Sequence, residues 1–505
     1  MKPTVFLTGA TGGMGFQGLI RMLGDADSYN TLILVRDSEK NRKLLADYEG
    51  RPGLTVVWGD LTDYEKVFRC VEKSDMALHV AAFVSPAADY YPRKAMRNNF
   101  GSTRNLIHAI HEQKRADSYK LVYIGTVAET GDRMPPIHWG RVGDPIKPSM
   151  FDYYAVSKVA AERIVIESGL KYWVSLRQTG IIGPAMAKIR DAIQFHNCLD
   201  NVLEYVSDRD SGVLLEHLSL YNANGTLDEG FWRHIYNIGG GESCRVSTYE
   251  MYQAMYGEMG FTSLDPVIDP RAYAMRNFHG QYYLDSDRLE AYLHFRSDSM
   301  QYFYDAYMKE VGSAKAAAKI ICKLPGGQRL MGRIIQSTFK KLLMSEHGTL
   351  RFIRDNVEDH IDAYWGSRAA WEALPKKVSQ MARFTDWEKV VHINHGYDES
   401  KPESELDLDD MKGAAQYRGG KLLSTEMATG DWQTKLTFRC AFGHTFEASP
   451  RLVLEGGHWC DECERKSWNY GQRAKIDPFF AQVWTPLHGA DELREYPKEV
   501  SENNI

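Results

Sequence analysis

Tyr154 and Lys158 lie four residues apart, a spacing that places two side chains about one turn apart on the same face of a helix. A phenol has a pKa of about 10, and a cation close to it favours the phenolate and lowers that value toward neutral pH. The pair therefore fits a proton donor beside the group that activates it. Tyrosine and lysine share this spacing by chance in many helices, so the surrounding elements decide whether the pair forms a site.

The first of those elements is a glycine-rich turn near the N terminus. Residues 4–8 are predicted to form a short buried strand and residues 16–23 a helix, with the turn between them. This order is typical of a dinucleotide site, in which the N terminus of the helix faces the phosphates. The first glycine permits the tight turn, the second lets the backbone approach the pyrophosphate, and the third lets the helix pack on the strand. The predicted cofactor contacts here are Gly9, Thr11, Gly12, Gly13, Met14 and Gly15.

A second predicted strand, residues 31–35, ends at Arg36 and Asp37. At this place an arginine would hold a 2′-phosphate of the cofactor, whereas an acidic residue would hold a ribose 2′-hydroxyl. Because Arg36 comes first, we predict NADP(H), with NAD(H) bound through Asp37 as the alternative.

Two later turns supply the remaining cofactor contacts. Residues 54–58 form a predicted strand that leads to Asp60 and Leu61. The Asp60 carboxylate is expected to accept a hydrogen bond from the adenine amino group, and a helix cap is a compatible alternative. Ala81 and Ala82 end the next strand, and their small side chains would let the backbone approach the cofactor.

Strands alternate with helices through this region, which predicts an α/β fold with a doubly wound parallel sheet. Ligands of such sheets bind beyond the carboxyl ends of the strands. Thr126 follows a predicted strand at residues 121–125, so we expect its hydroxyl to contact the substrate.

Taken in chain order, these signals resemble the extended short-chain dehydrogenase/reductase superfamily over about residues 3–300. The motifs that carry the resemblance are Gly9-x-x-Gly12-x-x-Gly15, Gly59-Asp60, Val80-Ala81-Ala82, Asn99 ahead of Gly101-Ser102-Thr103, Thr126, Tyr154-x-x-x-Lys158, Gly183-Pro184 and Tyr236-Asn237-Ile238-Gly239-Gly240. The resemblance implies a Rossmann-type domain with a small substrate-binding lobe.

The resemblance also implies roles for single residues. Tyr154 would be the catalytic acid/base, and Thr126 would hydrogen-bond the substrate oxygen. Lys158 would bind the nicotinamide ribose and lower the tyrosine pKa. Asn99 would hold a proton-relay water or a helix kink. Glu162 is similar to the acidic residue that commonly follows the motif, with a surface ion pair as the alternative.

Members of this superfamily reduce carbonyls, oxidise hydroxysteroids, or epimerise and dehydrate nucleotide sugars, so membership does not fix the reaction. Arg36 and the apolar stretch at residues 79–84 favour a reductase. We predict an NADP(H)-dependent oxidoreductase that transfers a hydride to or from a carbonyl or alcohol of a relatively apolar small molecule, similar to a ketone, steroid or flavonoid. One alternative is an NAD-dependent epimerase or dehydratase of nucleotide sugars. Another is a redox-sensing module.

Substrate recognition is expected from residues 185–295. The candidate aromatic walls are Phe195, His196, Tyr205, Phe231, Trp232, Tyr273, Phe278 and His279, each of which has a core position as its alternative.

A basic helical region follows. Residues 311–345 carry seven Lys or Arg and no Asp or Glu. From residue 330, apolar residues recur at spacings of three and four, which predicts an amphipathic helix. Its basic face indicates either contact with a membrane surface or acidic carrier, or a solvated face of a helix packed on the enzyme domain. The apolar positions are Leu330, Met331, Ile334, Ile335, Phe339, Leu342 and Leu343.

The C-terminal part contains two close pairs of metal-ligand residues. Cys440 and His444 form the first pair, and Cys460 and Cys463 form the second. Three thiolates and an imidazole can complete a tetrahedral zinc shell, which we predict in preference to a disulfide. His458 is an alternative imidazole, although its position two residues from Cys460 makes simultaneous binding crowded.

The region from Gly419 to Cys463 resembles a small bacterial zinc ribbon found beside nucleic-acid enzymes, which suggests DNA contact. The cations that could face phosphates are Lys421, Lys435, Arg439, Arg451, Arg465 and Lys466. A structural or protein-docking ribbon is equally compatible with the acidic residues nearby.

The composition of the chain limits which other classes of protein are compatible with it. A net charge of −6 over 505 residues does not mark the chain as a general nucleic-acid binder, and seven cysteines do not suggest a disulfide framework. No apolar run is long enough to span a membrane, so we expect a soluble, cytoplasmic protein, and we leave a homodimer open. The predicted division is residues 1–300 for the cofactor domain, 301–394 for a helical extension, 395–413 for an acidic linker, and 414–505 for the ribbon and tail.

Overall fold

A computed structural model describes residues 2–498. Its centre is a parallel sheet of seven strands in the spatial order β7-β6-β5-β4-β1-β2-β3. The order reverses beside β1, which opens a crevice at the carboxyl ends of β1 and β4. The strands are β1 (Thr4–Thr8), β2 (Asn30–Val35), β3 (Leu54–Trp58), β4 (Met76–His79), β5 (Lys120–Thr126), β6 (Tyr172–Gln178) and β7 (His234–Ile238).

Helices cover both faces of this sheet, as expected for strands that are apolar on both sides. Buried residues of β1, such as Phe6 and Leu7, belong to two different core clusters, one on each face. The covering helices are α1 (Gly13–Met22), α2 (Glu39–Leu45), α3 (Tyr64–Glu72), α4 (Pro92–Glu112), α5 (Tyr153–Ile166) and α6 (Asp208–Asn224). The predicted Rossmann-type doubly wound sheet is confirmed.

Short strand pairs build a smaller lobe at the carboxyl end of the sheet. The pairs are Ile181–Ile182 with Val206–Ser207, Val202–Glu204 with Arg245–Ser247, and Trp139–Gly140 with Tyr282–Tyr283. The helices of this region are Ala87–Tyr90, Pro184–Ala187, Thr248–Glu258 and Asp287–Leu293.

The helical extension contains six helices. They are α7 (Met300–Val311), α8 (Ala314–Cys322), α9 (Gly327–Leu343), α10 (Thr349–Asp355), α11 (Glu358–Trp365) and α12 (Arg368–Glu372). Most apolar residues of α9 pack on the core as its periodicity predicts, including Met331, Ile335 and Phe339. Leu330 and Ile334 are different, because they are 55% and 48% exposed. Among the described residues, no helix is both long and apolar enough to cross a bilayer.

The C-terminal part is built on a small antiparallel sheet of β8 (Lys421–Leu422), β9 (Leu436–Arg439) and β10 (Thr445–Ala448). Its helices are α13 (Leu408–Tyr417), α14 (Asp461–Lys466), α15 (Tyr470–Ala474) and α16 (Pro478–Trp484), and a final strand pair joins Ser467–Trp468 to Tyr496–Pro497. Its apolar residues, Phe438 among them, share one core cluster with residues of the large sheet such as Phe6. We refer to residues 408–498 as the C-terminal module.

The segment for which we predicted an acidic linker, residues 395–413, is partly ordered against the protein. His395 is 1% exposed, and its Nε2 lies 3.0 Å from Asp144 Oδ1. Helix α13 starts within the segment at Leu408, where Asp407 caps its N terminus. Acidic composition alone suggested a solvated linker, whereas several of these carboxylates serve caps and ion pairs instead.

Candidate functional site

The glycine turn joins β1 to α1 in a way that leaves room for an anion. Gly9 has φ +71°, and a Cβ there would lie 2.8 Å from Ala81 Cα. A Cβ on Gly15 would lie 2.2 Å from the Gly9 carbonyl oxygen, so the helix packs on the strand as predicted. Gly12 precedes α1 and supplies no side-chain cap, so the first backbone N–H groups of the helix have no capping side chain within the described chain. Such N–H groups favour a phosphate.

Three other predicted contacts lie around this turn. Thr11 is partly exposed, whereas the Met14 side chain is buried in the core, so Met14 offers the cofactor only its backbone. The Ala81 N–H donates to Thr8 Oγ1 at 3.0 Å, which fixes the backbone beside Gly9. Ala82 is exposed.

Asp60 and Leu61 are engaged by neighbours on the protein. Asp60 Oδ1 accepts hydrogen bonds from the Thr62 N–H at 2.9 Å and the Thr62 hydroxyl at 2.8 Å. The Leu61 carbonyl accepts from Asn105 Nδ2 at 3.0 Å, and its side chain packs against the core. The helix that follows is capped by Asp63, so Asp60 fixes the turn before the helix and does not cap it.

A basic cavity of about 470 Å³ lies where the adenosine end of a dinucleotide would reach. Arg36, which follows β2, contributes one cation, and the first turns of α4 contribute three more that sequence reasoning missed. Asp60 supplies the only carboxylate among the lining residues that the structure describes. The lining consists of Arg36, Asp60, Thr62, Arg93, Lys94, Arg97 and Asn98.

Asp37, the basis of the NAD(H) alternative, already has a partner. Arg42 Nε and Nη2 donate to its two carboxylate oxygens at 2.6 and 2.7 Å. The same guanidinium stacks over Trp58, 4.5 Å from the ring centroid. Both oxygens of Asp37 are therefore occupied by a bidentate pair.

Tyr154 and Thr126 are neighbours at the carboxyl end of β5. The Thr126 hydroxyl lies close enough to the Tyr154 phenol to act on its pKa, which it lowers. Thr126 itself is fixed, because its hydroxyl accepts from the Ala128 N–H and its own N–H donates to Glu129 Oε1 at 3.0 Å. Asp152 caps α5, the helix that carries Tyr154, by accepting from the Ala155 N–H at 2.8 Å.

The pKa of Tyr154 differs from the prediction. Burial raises it above its usual value of 10.0; the Thr126 hydroxyl opposes the rise, and the Glu129 and Asp152 carboxylates add to it. The phenol is therefore protonated at neutral pH. Lys158, which we expected to lower this pKa, directs its ammonium to the Ile124 carbonyl instead.

Lys158 is buried and held against the sheet. Its Nζ donates to the Ile124 carbonyl at 2.6 Å and lies 4.1 Å from the centroid of the Tyr123 ring. Burial lowers the pKa of Lys158 to about 8, while the Glu129 and Glu162 carboxylates act in the opposite direction. The ammonium thus lies beneath the site, beside the end of β5, with a carboxylate network behind it.

Asn99 joins the loop after β4 to α5. Its Oδ1 accepts from the Phe83 N–H at 2.7 Å, and its Nδ2 donates to the Phe83 carbonyl at 3.0 Å and to Ser157 Oγ at 2.8 Å. Both amide protons are thereby used. The predicted roles were a relay water or a helix kink, and these contacts instead describe a clamp between two elements of the site.

A cavity of about 550 Å³ opens beside the N terminus of α5. Its walls come from the loop at residues 85–92, from residues 150–153 and 277–279, and from the helical extension. Of the eight aromatic candidates, His196, Phe278 and His279 line it, whereas Phe231 and Trp232 belong to the core. The wall is a mixture of rings with carboxylates and imidazoles.

Asp89 is a cavity residue that sequence reasoning missed. Its Oδ1 accepts from the Tyr154 N–H at 3.0 Å, so it also holds the start of α5. Burial, with a contribution from the Asp152 carboxylate, raises the pKa of Asp89 to about 7. No local motif marks this aspartate, since its environment depends on residues more than 60 positions away.

Behind Tyr154, α5 is covered by the C-terminal module through a buried ionic network. Glu162 is fully buried and binds Arg177 Nη2 at 2.7 Å. His458 of the module lies 3.0 Å from Glu162 through its Nε2, and Arg177 donates to the Gly456 carbonyl at 2.7 Å. Although burial acts to raise it, Arg177 and His458 hold the pKa of Glu162 well below its usual range. The surface pair considered for Glu162 is thus replaced by a buried one.

The next residue of α5, Arg163, makes a second contact of the same kind. Arg163 donates to the Trp459 carbonyl at 2.6 Å and to Glu464 Oε2 at 3.0 Å. His458 is accordingly engaged by two carboxylates, Glu162 and Glu464, and does not join the cysteines.

The four predicted metal ligands come together between β9, β10 and α14. The ligand atoms of Cys440, His444, Cys460 and Cys463 all lie within 4.8 Å of one another. Cys440 Sγ is 3.8 Å from Cys463 Sγ, and His444 Nδ1 is 3.2 Å from the latter sulfur. Tetrahedral zinc with bonds of about 2.3 Å to sulfur separates two sulfurs by about 3.8 Å, so the donor set fits the ion.

The cations of the module that we considered for phosphate contact are mostly paired. Lys435 binds Glu167, Arg451 binds Glu403 and Glu455, Arg465 binds Asp461, and Lys466 binds Glu462. Four of the six considered are thus neutralised within the protein.

Comparison with known protein families matches residues 5–206 to the NAD dependent epimerase/dehydratase family. This match covers less than half of the chain. The domain is accordingly of the extended short-chain dehydrogenase/reductase type that the motifs indicated.

Two curated relatives each cover 38% of the chain. A 3 beta-hydroxysteroid dehydrogenase/Delta 5-->4-isomerase of Mycobacterium tuberculosis is 29% identical over 206 residues, which is 38% of this chain and 50% of the relative. A 3-beta-hydroxysteroid dehydrogenase of Mycolicibacterium neoaurum is 27% identical over 204 residues, 38% of this chain and 51% of the relative. The chain thus spans about half the length of these curated relatives.

Solved structures give a looser match. The dTDP-glucose 4,6-dehydratase DesIV of Streptomyces venezuelae, with NAD and TYD bound, is 20% identical with a TM-score of 0.46, over 61% of this chain and 98% of that chain.

Proposed function

We propose that the protein is an NADP(H)-dependent oxidoreductase that transfers a hydride to the carbonyl of a small molecule with apolar rings, or from the corresponding alcohol. The observation that carries this proposal is the position of Thr126 and Tyr154 together at the carboxyl end of β5. The cavity at the N terminus of α5 is lined by the residues just before Tyr154, Asp152 and Tyr153. The 3 beta-hydroxysteroid dehydrogenases among the relatives support a ring-bearing substrate.

The residues present fit the dinucleotide. The N terminus of α1 would hold its pyrophosphate, and the cavity with Arg36, Arg93 and Arg97 would hold a 2′-phosphate. The pairing of Asp37 with Arg42 supports the phosphorylated cofactor over NAD(H). When bound, the nicotinamide supplies or accepts the hydride.

The protein's own groups would then manage the oxygen and the proton. Thr126 and Tyr154 hydroxyls hydrogen-bond the substrate oxygen, where negative charge develops as the carbonyl is reduced. Tyr154, which is protonated at neutral pH, gives its proton to that oxygen as the charge develops. Lys158 provides a positive charge beneath β5 and, once the phenolate has formed, stabilises it. Asn99 and Asp89 hold α5 against the loops of the site, because they hydrogen-bond Ser157 and the Tyr154 N–H.

The test is the Tyr154→Phe variant, assayed by NADPH absorbance with a panel of ketones. We expect turnover to fall by at least about 100-fold, with NADPH affinity nearly unchanged. The matched control is Tyr172→Phe, since Tyr172 begins β6 at the opposite end of the sheet. Equal turnover in wild type and Tyr154→Phe would refute the mechanism. A nucleotide-sugar epimerase or dehydratase would instead convert its substrate with no net NADPH consumption.

We also propose that Cys440, His444, Cys460 and Cys463 hold one zinc ion with a structural role. Four protein ligands complete the shell and leave no position for a substrate. The Glu462 carboxylate lies 3.5 Å from His444 Nε2, where it would orient the imidazole.

A further inference from the structure

The helical extension carries a hairpin, formed by α8 and α9 with the turn at residues 323–326, whose outer side is unusually apolar. Ile320, Leu324, Leu330 and Ile334 are 66%, 58%, 55% and 48% exposed. Among the described residues, five large apolar side chains are more than half exposed, and three of them, Ile320, Leu324 and Leu330, lie on this hairpin. We call Ile320, Leu324, Leu330 and Ile334 the aliphatic face.

The opposite side of the hairpin is fixed to the protein. Ala318, Cys322 and Leu343 are buried in the core beneath it. The backbone of α9 also lies close to a loop, since a Cβ on Gly332 would be 2.0 Å from the Pro266 carbonyl oxygen. The hairpin therefore cannot roll to bury its aliphatic face without breaking these contacts.

Helical spacing places the aliphatic face among cations. On α9, Leu330, Arg333 and Ile334 share one side, and on α8 and the turn, Lys319, Ile320 and Lys323 do so. Lys315 pairs with Glu258 at 2.8 Å. The remaining six cations have no ion pair within the described chain; they are Lys319, Lys323, Arg329, Arg333, Lys340 and Lys341.

We propose that this hairpin docks the protein on the surface of an anionic lipid bilayer. The aliphatic face would enter the boundary between headgroups and acyl chains, while the six unpaired cations would contact the headgroups. The charge complementarity is local, because the chain as a whole carries a net charge of −6 and would be repelled by such a surface elsewhere.

Nucleic acid fits the same surface less well. The cations alone would suit a phosphate backbone, but the four exposed aliphatic side chains would meet no apolar surface there. Single strands are bound with aromatic rings on which bases stack, and the exposed side of the hairpin has none. An acidic protein partner with its own apolar patch would also cover this surface, and in that case the protein would bind neither kind of vesicle.

Glu346 and His347, which line the cavity beside α5, come just after the C-terminal end of α9, whereas the aliphatic face lies near the N-terminal end of that helix. Docking would hold the cavity about 24 Å from the aliphatic face, measured along the helix. An apolar substrate taken from the bilayer would have to cross that distance. This consequence depends on the proposed function, whereas lipid binding itself does not.

The experiment is vesicle co-sedimentation of the full chain, without cofactor or substrate, so that its result does not depend on the enzyme activity. Binding to vesicles of phosphatidylcholine with about 30 mol% phosphatidylserine is compared with binding to vesicles of phosphatidylcholine alone. This phosphatidylserine content is roughly that of an anionic cell membrane. We expect binding to the anionic vesicles to be at least about tenfold stronger, and to weaken as salt is raised.

Two sets of variants separate the contributions. The first replaces Leu324, Leu330 and Ile334 by Ser, and the second reverses Lys323, Arg329 and Arg333 to Glu. Each set should reduce binding by about tenfold or more. The matched controls change exposed residues elsewhere: Ile20→Ser with Ile476→Ser, and Lys73→Glu with Lys376→Glu and Lys475→Glu. All variants change exposed side chains, and circular dichroism verifies that they fold.

Several outcomes would overturn the proposal. One is wild-type protein that stays in solution with both kinds of vesicle. Another is loss of binding in the charge-reversed variant only, since the aliphatic face would then have no role. A third is binding of a 20-base-pair DNA duplex that exceeds vesicle binding at the same salt. Loss in both hairpin variants, with both controls unchanged, would support lipid docking.

Discussion

The contact between His458 and Glu162 offers a direct test of how firmly the C-terminal module holds α5. His458 is fully buried and lies 3.0 Å from Glu162 and 3.5 Å from Glu464. Replacing it by Ala removes both contacts and leaves a space where the ring was. The Glu162 carboxylate then keeps Arg177 and Ser175 but loses a partner in a site closed to water.

The magnitude follows from the burial. A hydrogen bond to a charged group is worth about 1.5–3 kcal/mol, and breaking a buried ionic pair costs about 3–5 kcal/mol. We therefore expect His458→Ala to lower the free energy of unfolding by about 3 kcal/mol or more. Lys435 supplies a matched control. Its Nζ lies 3.0 Å from Glu167, the C-terminal cap of α5, so this pair also joins the module to that helix. The Lys435 side chain, however, is 48% exposed. Lys435→Ala should cost no more than about 1 kcal/mol.

The assay is urea unfolding of the zinc-loaded protein, with zinc content measured for each variant so that loss of metal is not mistaken for loss of the contact. Hydrogen exchange of peptides from α5 and from β9–β10 would show whether both sides of the interface loosen together, as a shared core requires. If His458→Ala and Lys435→Ala destabilise the protein equally, or if only β9–β10 peptides exchange faster, the buried network does not couple the two parts.

Two further predictions follow from the cofactor and metal residues. Arg36→Ala and Arg97→Ala should each weaken NADPH binding by about tenfold or more, while NADH binding changes little, because only NADPH carries a 2′-phosphate. Isothermal titration measures both affinities. Equal losses for the two cofactors would contradict the basic cavity as the site of the 2′-phosphate. Metal analysis should find one zinc per chain in the wild type and less than half an equivalent in Cys463→Ser. The control variant Cys244→Ser replaces a cysteine outside the cluster and should keep the metal. Zinc retained in Cys463→Ser would argue against the four-ligand shell.

Features that depend on neighbouring residues were predictable from the sequence. The turn from Gly9 to Gly15 and the pairs Cys440/His444 and Cys460/Cys463 are short motifs whose geometry is set by a few consecutive backbone angles and a loop. The position of Arg36 was predictable for the same reason, since it directly follows β2, and its contact with a cofactor stays a prediction. Each of these residues lies where its motif requires.

Features that depend on distant segments were missed. Arg93 and Arg97 join Arg36 in one cavity only because α4 begins beside the end of β2, a consequence of strand order that no local spacing reveals. The expectation for Lys158 was misleading for a similar reason: helical spacing brings it near Tyr154, but the Ile124 carbonyl and the Tyr123 ring of β5 compete for its ammonium. Which partner a flexible side chain chooses depends on the sheet packed beneath the helix.

Helix α5 shows why the sequence did not reveal the role of the C-terminal module. Ten of its 14 residues are buried, including the polar Ser157, Lys158 and Glu162, so its pattern is that of a helix covered on more than one side. One cover is the parallel sheet, and the other is the segment from Gly456 to Glu464. This segment forms hydrogen bonds with Glu162, Arg163 and Arg177 and also contains the last two cysteines. The same segment therefore serves the metal site and the back of the catalytic helix. A boundary drawn from motifs separates the cofactor-type domain from the cysteine-containing module. The polar groups that this segment satisfies lie inside the first domain, so the boundary of the folding unit must lie beyond the module.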